Sequence, residues 1–319
     1  MPLPIRSIFF LVAAALLCAC SPSTKLNSST LFEQAWNSGL QRNEPQIQSQ
    51  WVNDDTVAMR QSIATSFEAP FLYLILGAKR ALLLDTGVEG VNLRAVVDGH
   101  IDRWLQTKGL SNIELVVMHT HAHSDHTGND SQFLDRPLTT VVGHTAREVA
   151  GFFAIADWPQ ETVQYDLGGR VIQILPIPGH HDSHIAIYDK QTKSLFSGDT
   201  IYPGRLYFQC GKAERFVSSI QRLKSLTEHE EIDWVLGAHI EMKTQPGKSF
   251  QGRRSSRRDE HLLELPGTIV AEIESALNSL EGRYRVTTFD EFILFPHPAD
   301  PTGMSPPDWC LTDSVVGNN

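Results

Sequence analysis

One stretch constrains this chain more than any other: His119-Thr120-His121-Ala122-His123-Ser124-Asp125-His126, directly after the apolar run Glu114–Met118. Three smaller pieces follow, Pro178-Gly179-His180, Ser197-Gly198-Asp199 and Gly237-Ala238-His239. Each closes a short apolar, β-branched run, so each candidate ligand is expected on a loop at the end of a strand. Imidazole and carboxylate suit zinc, iron or manganese, and no cysteine stands near any of these pieces. Residues i and i+2 of an extended loop point to the same side, so His121 and His123 can converge on one ion. Asp125 and His126, one step further where a helix begins, turn towards a neighbouring position. A lone histidine is more often structural than a ligand. Four pieces together reverse that reading for His121, His123, His126, His180 and His239. His119 falls outside the pattern and reads as a supporting or packing residue. His100, His144, His229, His261 and His297 read as structural.

The flanking segments predict a layered α/β fold. Phe71–Leu76 and residues 81–85 are apolar runs separated by Gly77-Ala78-Lys79-Arg80, the pattern of a hairpin. Residues 91–106 place Leu93, Val97, Ile101 and Trp104 on one helical face, and residues 214–227 do the same with Phe216, Ile220 and Leu223. Residues 161–167, 171–177, 185–188, 194–196 and 233–236 read as strands. A helix over 268–280 and a late strand over 284–289 complete the pattern. Hairpins mixed with strand-helix-strand segments argue for mixed sheets and against a simple parallel doubly wound fold. No Gly-rich phosphate loop of the Walker or dinucleotide type is present.

Residues 1–19 read as an export signal, with Arg6 ahead of an apolar stretch too short for a comfortable membrane span. Leu17-Cys18-Ala19-Cys20 resembles a bacterial lipoprotein processing box, with Cys20 as the acylated first residue of the mature chain. Cys18 at its middle position departs from that box, and plain cleavage stays open. Serine after Cys20 resembles the pattern that sends lipoproteins to an outer membrane, facing the periplasm. The alternative is a soluble periplasmic or secreted protein. Residues 20–50 are expected to form a flexible tether, 51–296 one domain, and 297–319 a polar tail. The formal charge of −10 becomes −11 once Arg6 leaves with the signal. Such a surface does not favour nucleic acid. The one basic cluster, Arg253-Arg254 with Arg257-Arg258, is flanked by Asp259 and Glu260 and reads as a solvated loop. Cys210 and Cys310 remain after signal and anchor; an oxidising compartment permits them to pair, and two free thiols fit equally.

His121-x-His123-x-Asp125-His126, with His180, Asp199 and His239 downstream, resembles the metallo-β-lactamase superfamily from about Phe71 to His239. The resemblance implies an αββα sandwich of two mixed β-sheets with outer helices, and a metal site at one edge between the sheets. It implies that His121, His123 and His180 hold a first metal and that Asp125, His126 and His239 hold a second. Asp199 would then bridge both. The resemblance thus implies two divalent ions as cofactors, zinc ahead of iron or manganese. Asp85 resembles the family's first motif, an acid that orients the ligand loop. His181 stands where the family commonly has a hydroxyl residue. Two cations against two carboxylates leave net positive charge, and zinc can bring the pKa of a shared water to about 7.

Asp199 argues against a true β-lactamase, since those enzymes resemble this pattern but lack a bridging aspartate there. Glyoxalase-II-like thioesterases, lactonases and several phosphodiesterases carry it. Tyr202 resembles a tyrosine that acyl-homoserine lactonases use near the scissile carbonyl, where a phenol donates to the developing oxyanion. Asp125 and Tyr202 are therefore the catalytic candidates. The expected function is a dinuclear metallohydrolase that uses a metal-bridging hydroxide on a small ester-like substrate, a lactone or thioester. A membrane is expected as partner only through the Cys20 anchor, and the oligomeric state is open. Two alternatives stand beside it: a mononuclear iron persulfide dioxygenase, which shares much of the ligand set, and a non-catalytic metal-holding lipoprotein.

Overall fold

A computed structural model describes Met1, residues 30–41 and residues 43–297. The expected signal, the anchor at Cys20, Cys310 and all of the expected tail beyond His297 lie outside those residues. The first sheet has the spatial order β1 (Ile47–Asn53), β2 (Thr56–Gln61), β3 (Phe71–Leu76), β4 (Arg80–Leu84), β5 (Glu114–Met118) and β6 (Thr139–Val141). Its first four strands are antiparallel, and β4, β5 and β6 run parallel. A parallel step needs a crossover, which helix α1 (Leu93–Lys108) supplies between β4 and β5. Two short helices, α2 (Ser124–Thr127) and α3 (Ala146–Phe153), lie between β5 and the second sheet in the chain.

That second sheet draws on β7 (Val163–Asp166), β8 (Val171–Pro176), β9 (Ile185–Asp189) and β10 (Ser194–Gly198). The chain leaves it for β11 (Arg205–Gln209) and helix α4 (Ala213–His229), then returns as β12 (Trp234–Gly237) and β13 (Glu264–Pro266). The spatial order is β13-β12-β10-β9-β8-β7, mixed, with β10 and β12 parallel. Helix α5 (Ile269–Ser279) packs beside α4. A small third sheet joins β11 to β15 (Ile293–His297) and β15 to β14 (Thr287–Thr288).

Side-chain alternation explains the layering. On β4, Leu82 and Leu84 join a core between the sheets that includes Ile174, Ile187 and Phe196, while Ala81 and Leu83 face Val97, Ile101 and Trp104 of α1. On the second sheet Leu195 and Val235 point outward to Phe216, Ile220 and Ile273 of α4 and α5. Strands buried on both faces read as continuous apolar runs, and that is how these appear in the sequence. The result is the expected αββα sandwich. No helix among the described residues is long and apolar enough to cross a membrane.

Two boundaries differ from the sequence reading. The span expected as a tether through Gln50 is folded from Leu31 onward. Phe32 is buried between the sheets' core residues, the Leu31 N–H donates to Glu264, and β1 starts at Ile47. A few apolar anchors hold this segment, and its polar side chains bond its own backbone, as the Gln48 amide does with the N–H and carbonyl of Asn37. Polar composition therefore resembled a linker. The late strand expected over 284–289 shrinks to β14, and its partner β15 lies further on.

Candidate metal centre

The four ligand-bearing pieces follow the C-terminal ends of β5, β8, β10 and β12. His121 Nε2 and His180 Nε2 both face His123 Nδ1, at 2.8 and 3.1 Å. Beside this group, Asp125 Oδ2 lies 3.5 Å from His126 Nε2 and 3.3 Å from His239 Nε2. Asp199 stands between the two. Its Oδ2 is 3.6 Å from His180 Nε2 and 3.9 Å from His121 Nε2, while Oδ1 is 3.4 Å from His126 Nε2 and 3.3 Å from His239 Nε2. All seven candidate ligands named from the sequence are thus brought together, in two groups that share Asp199. His126 Nε2 and Asp199 Oδ1 are fully buried without a hydrogen-bond partner. Buried polar atoms are seldom left so, and these two, aimed at one spot among imidazoles and carboxylates, fit divalent metal ions.

The sequence orients each ring from behind. Asp85 ends β4 in a left-handed conformation (φ 68°), which short polar side chains tolerate better than most. It accepts from the Thr120 N–H at 2.7 Å and from His126 Nδ1 at 2.8 Å, leaving His126 Nε2 for a metal. His180 Nδ1 donates to the Tyr207 carbonyl at 2.9 Å and His239 Nδ1 to the Glu68 carbonyl at 3.1 Å, with the same effect. His184 stacks on His121 with centroids 4.8 Å apart, and its Nε2 accepts from the Asp199 N–H at 3.2 Å. His181 bonds Ser183. Before His180, Gly179 (φ 155°) passes so close to α4 that a Cβ there would lie 2.5 Å from Phe216 Cα.

The two groups differ electrically. Burial and the neighbouring His126 hold His121 well below its ordinary value, and burial takes His180 down to about 4. Burial also opposes charge on His126 and His239, but carboxylates outweigh it. Asp85 and Asp199 push His126 well up, and Asp199 with Asp125 raises His239 to about 9. Asp125 and Asp199 are lowered despite their burial by these same histidines.

His119 supports the site, as expected. Its Nε2 bonds Asp130 at 2.8 Å, and His144 takes the other oxygen at 2.7 Å. Asp130 also accepts from Thr86, whose hydroxyl and N–H both face the His126 carbonyl. Arg257, read from the sequence as part of a solvated loop, is instead buried. Its guanidinium donates to two backbone carbonyls, those of Phe67 and Ile240. Tyr73 of β3 donates to the Gly237 carbonyl at 2.6 Å, just before His239. No local motif marks either residue; Arg257 reaches Phe67 190 positions away, and Tyr73 reaches Gly237 164 positions away.

A cleft of about 790 Å³ opens over the second group, with Asp125, Asp199 and His239 on its floor and Phe67, Tyr207, Phe250 and Phe295 in its walls. Tyr202 lines it too, its ring 5.7 Å from His239. The Tyr202 hydroxyl donates to the Arg205 carbonyl and lies 3.4 Å from Glu241 Oε2.

The fold is an αββα sandwich that gathers five histidines and two aspartates at one edge, in groups able to hold divalent metal. The family model of the metallo-beta-lactamase superfamily matches residues 67–223. A hydroxyacylglutathione hydrolase of Pseudomonas putida (strain F1) is 31% identical over 199 residues, 56% of this chain and 73% of that protein. One from Synechococcus sp. (strain JA-2-3B'a(2-13)) is 35% identical over 126 residues, 36% of this chain and 46% of that one. An acyl-coenzyme A thioesterase of Gallus gallus is 26% identical over 208 residues, 54% and 72% of the two chains. The chain thus spans about half the length of the first curated relatives it matches. It belongs to the metallo-beta-lactamase superfamily.

Proposed function

We propose that this chain is a dinuclear metal-dependent hydrolase that adds water to the carbonyl of a small ester-like substrate, a thioester or a lactone. The placement of Asp199 carries the reading, with one carboxylate oxygen towards each histidine group. A complete second group, Asp125, His126 and His239, favours it over a mononuclear dioxygenase. Similarity to proteins named hydroxyacylglutathione hydrolase and acyl-coenzyme A thioesterase supports the thioester. Bound at these residues, divalent ions, zinc first, would lower the pKa of a coordinated water and polarise the carbonyl.

The chain's own residues supply the rest. His121, His123 and His180 would hold one ion, Asp125, His126 and His239 the other, and Asp199 both. Asp125 faces the cleft and orients the attacking water. The aromatic walls shelter the acyl group from bulk solvent. Elemental analysis and a panel of thioesters, lactones, β-lactams and phosphodiesters test this together. About two zinc ions per chain and thioester or lactone turnover are expected, and Asp199→Asn should lose at least about 100-fold in kcat. One iron per chain, or no turnover on any member, overturns it. We also propose export and attachment to an outer membrane through Cys20. Cys210 is disulfide-bonded, which suits an oxidising compartment. Labelled palmitate should appear on the wild-type chain and not on Cys20→Ala.

A further inference from the structure

We infer that Arg257 is a positioning residue for the second metal group: it clamps the two chain segments that aim the His239 imidazole. Its Nη1 donates at 2.6 Å to the carbonyl of Ile240, the residue after His239. Its Nη2 donates to the carbonyl of Phe67, the residue before Glu68. The Glu68 carbonyl in turn accepts from His239 Nδ1. One planar guanidinium therefore ties together both sides of the hydrogen bond that leaves His239 Nε2 facing Asp125 and Asp199. A fork with donors on separate nitrogens can hold two carbonyls in fixed relation; a lysine ammonium on a flexible stem cannot.

The charge is balanced. Glu260 Oε1 lies 3.4 Å from Arg257 Nη1, and Arg60 of β2, wholly buried, grips both Glu260 oxygens at 2.6 and 2.7 Å. A buried cation survives only with such partners. The first group is oriented by other contacts, His180 on the Tyr207 carbonyl and His121 beside Thr120. Loss of Arg257 therefore acts on the second group alone.

The inference rests on the two-metal reading, and its test separates the two. Arg257→Lys and Arg257→Met are compared with wild type by chelator competition on the zinc-loaded chain. The first zinc should be retained and the affinity of the second should fall about 10–100-fold. In the metal-free chain, the His239 Nδ1–H resonance, assigned with His239→Gln, should be protected from exchange in wild type and lost in Arg257→Lys. Arg254→Met, exposed on the same segment, should change neither. Should Arg257→Met fail to fold, Arg257→Lys decides. Unchanged second-zinc affinity with an intact His239 signal overturns the clamp, as does equal loss of both zinc ions. A wild-type chain that holds only one zinc sinks the two-metal reading, and the His239 signal still decides whether Arg257 holds the ring.

Discussion

At the residue scale the two histidine groups ask different things of a metal. Without metal, His239 keeps its proton up to about pH 9 and His126 is pushed up likewise, whereas His180 is neutral above about pH 4. Ligation requires neutral imidazole, so filling the second group near pH 7 should expel more protons than filling the first. Calorimetric zinc titration in buffers of different ionisation heat measures this directly; equal proton release at both steps contradicts it. As pH falls, the second ion should leave before the first. Tyr202 makes a second test. Its proton is engaged by the Arg205 carbonyl, so Tyr202→Phe should cost less than about 10-fold in kcat, against about 100–1000-fold for loss of a direct oxyanion donor. The gathering of the candidate ligands was legible because imidazoles at motif spacing after apolar runs have few other uses. Arg257 was not: its three basic neighbours in sequence, Arg253, Arg254 and Arg258, face water, and only the folded chain brings Phe67 and Ile240 within its reach.

At the scale of elements, β5, α4 and α5 were readable because apolar period and length agree there. β2 was not. All six of its residues are buried, including Arg60 and Gln61, whose polar heads find Glu260 and the backbone of Val88. Pairing of polar heads hid a buried strand behind a polar sequence. β11 was not readable either, since its partner β15 comes 88 residues later by register, Arg205 against Ile293. Near that small sheet, His261 Nε2 meets Glu291 at 2.5 Å. Burial disfavours charge on His261, but Glu291 outweighs it and raises His261 above its ordinary 6.5; His261 lowers Glu291 below 4.5. The raised histidine contributes stability fully below about pH 6.5 and loses it as pH climbs through its folded value. The lowered glutamate contributes above about pH 4.5 and loses it as pH falls through its folded value. Thermal melts of wild type and His261→Gln should therefore differ most between those limits, by about 1 kcal/mol given the partial exposure of Glu291, and converge at alkaline pH.

For the whole molecule, the core between the sheets carries the geometry of the edge. Phe196 of β10 sits in that core against Tyr73, with ring centroids 4.7 Å apart, three positions before Asp199. Phe196→Ala should destabilise the fold by about 3–5 kcal/mol, read by denaturant melts of the metal-free chain, and a loss under about 1 kcal/mol would place the core elsewhere. The order of the ligands along the chain has a consequence for how the protein is born. His121 and His123 come early, His180 and Asp199 later, and His239 only after α4 and β12 have been made. Most of the polypeptide must therefore be synthesised before both groups of side chains can close around metal.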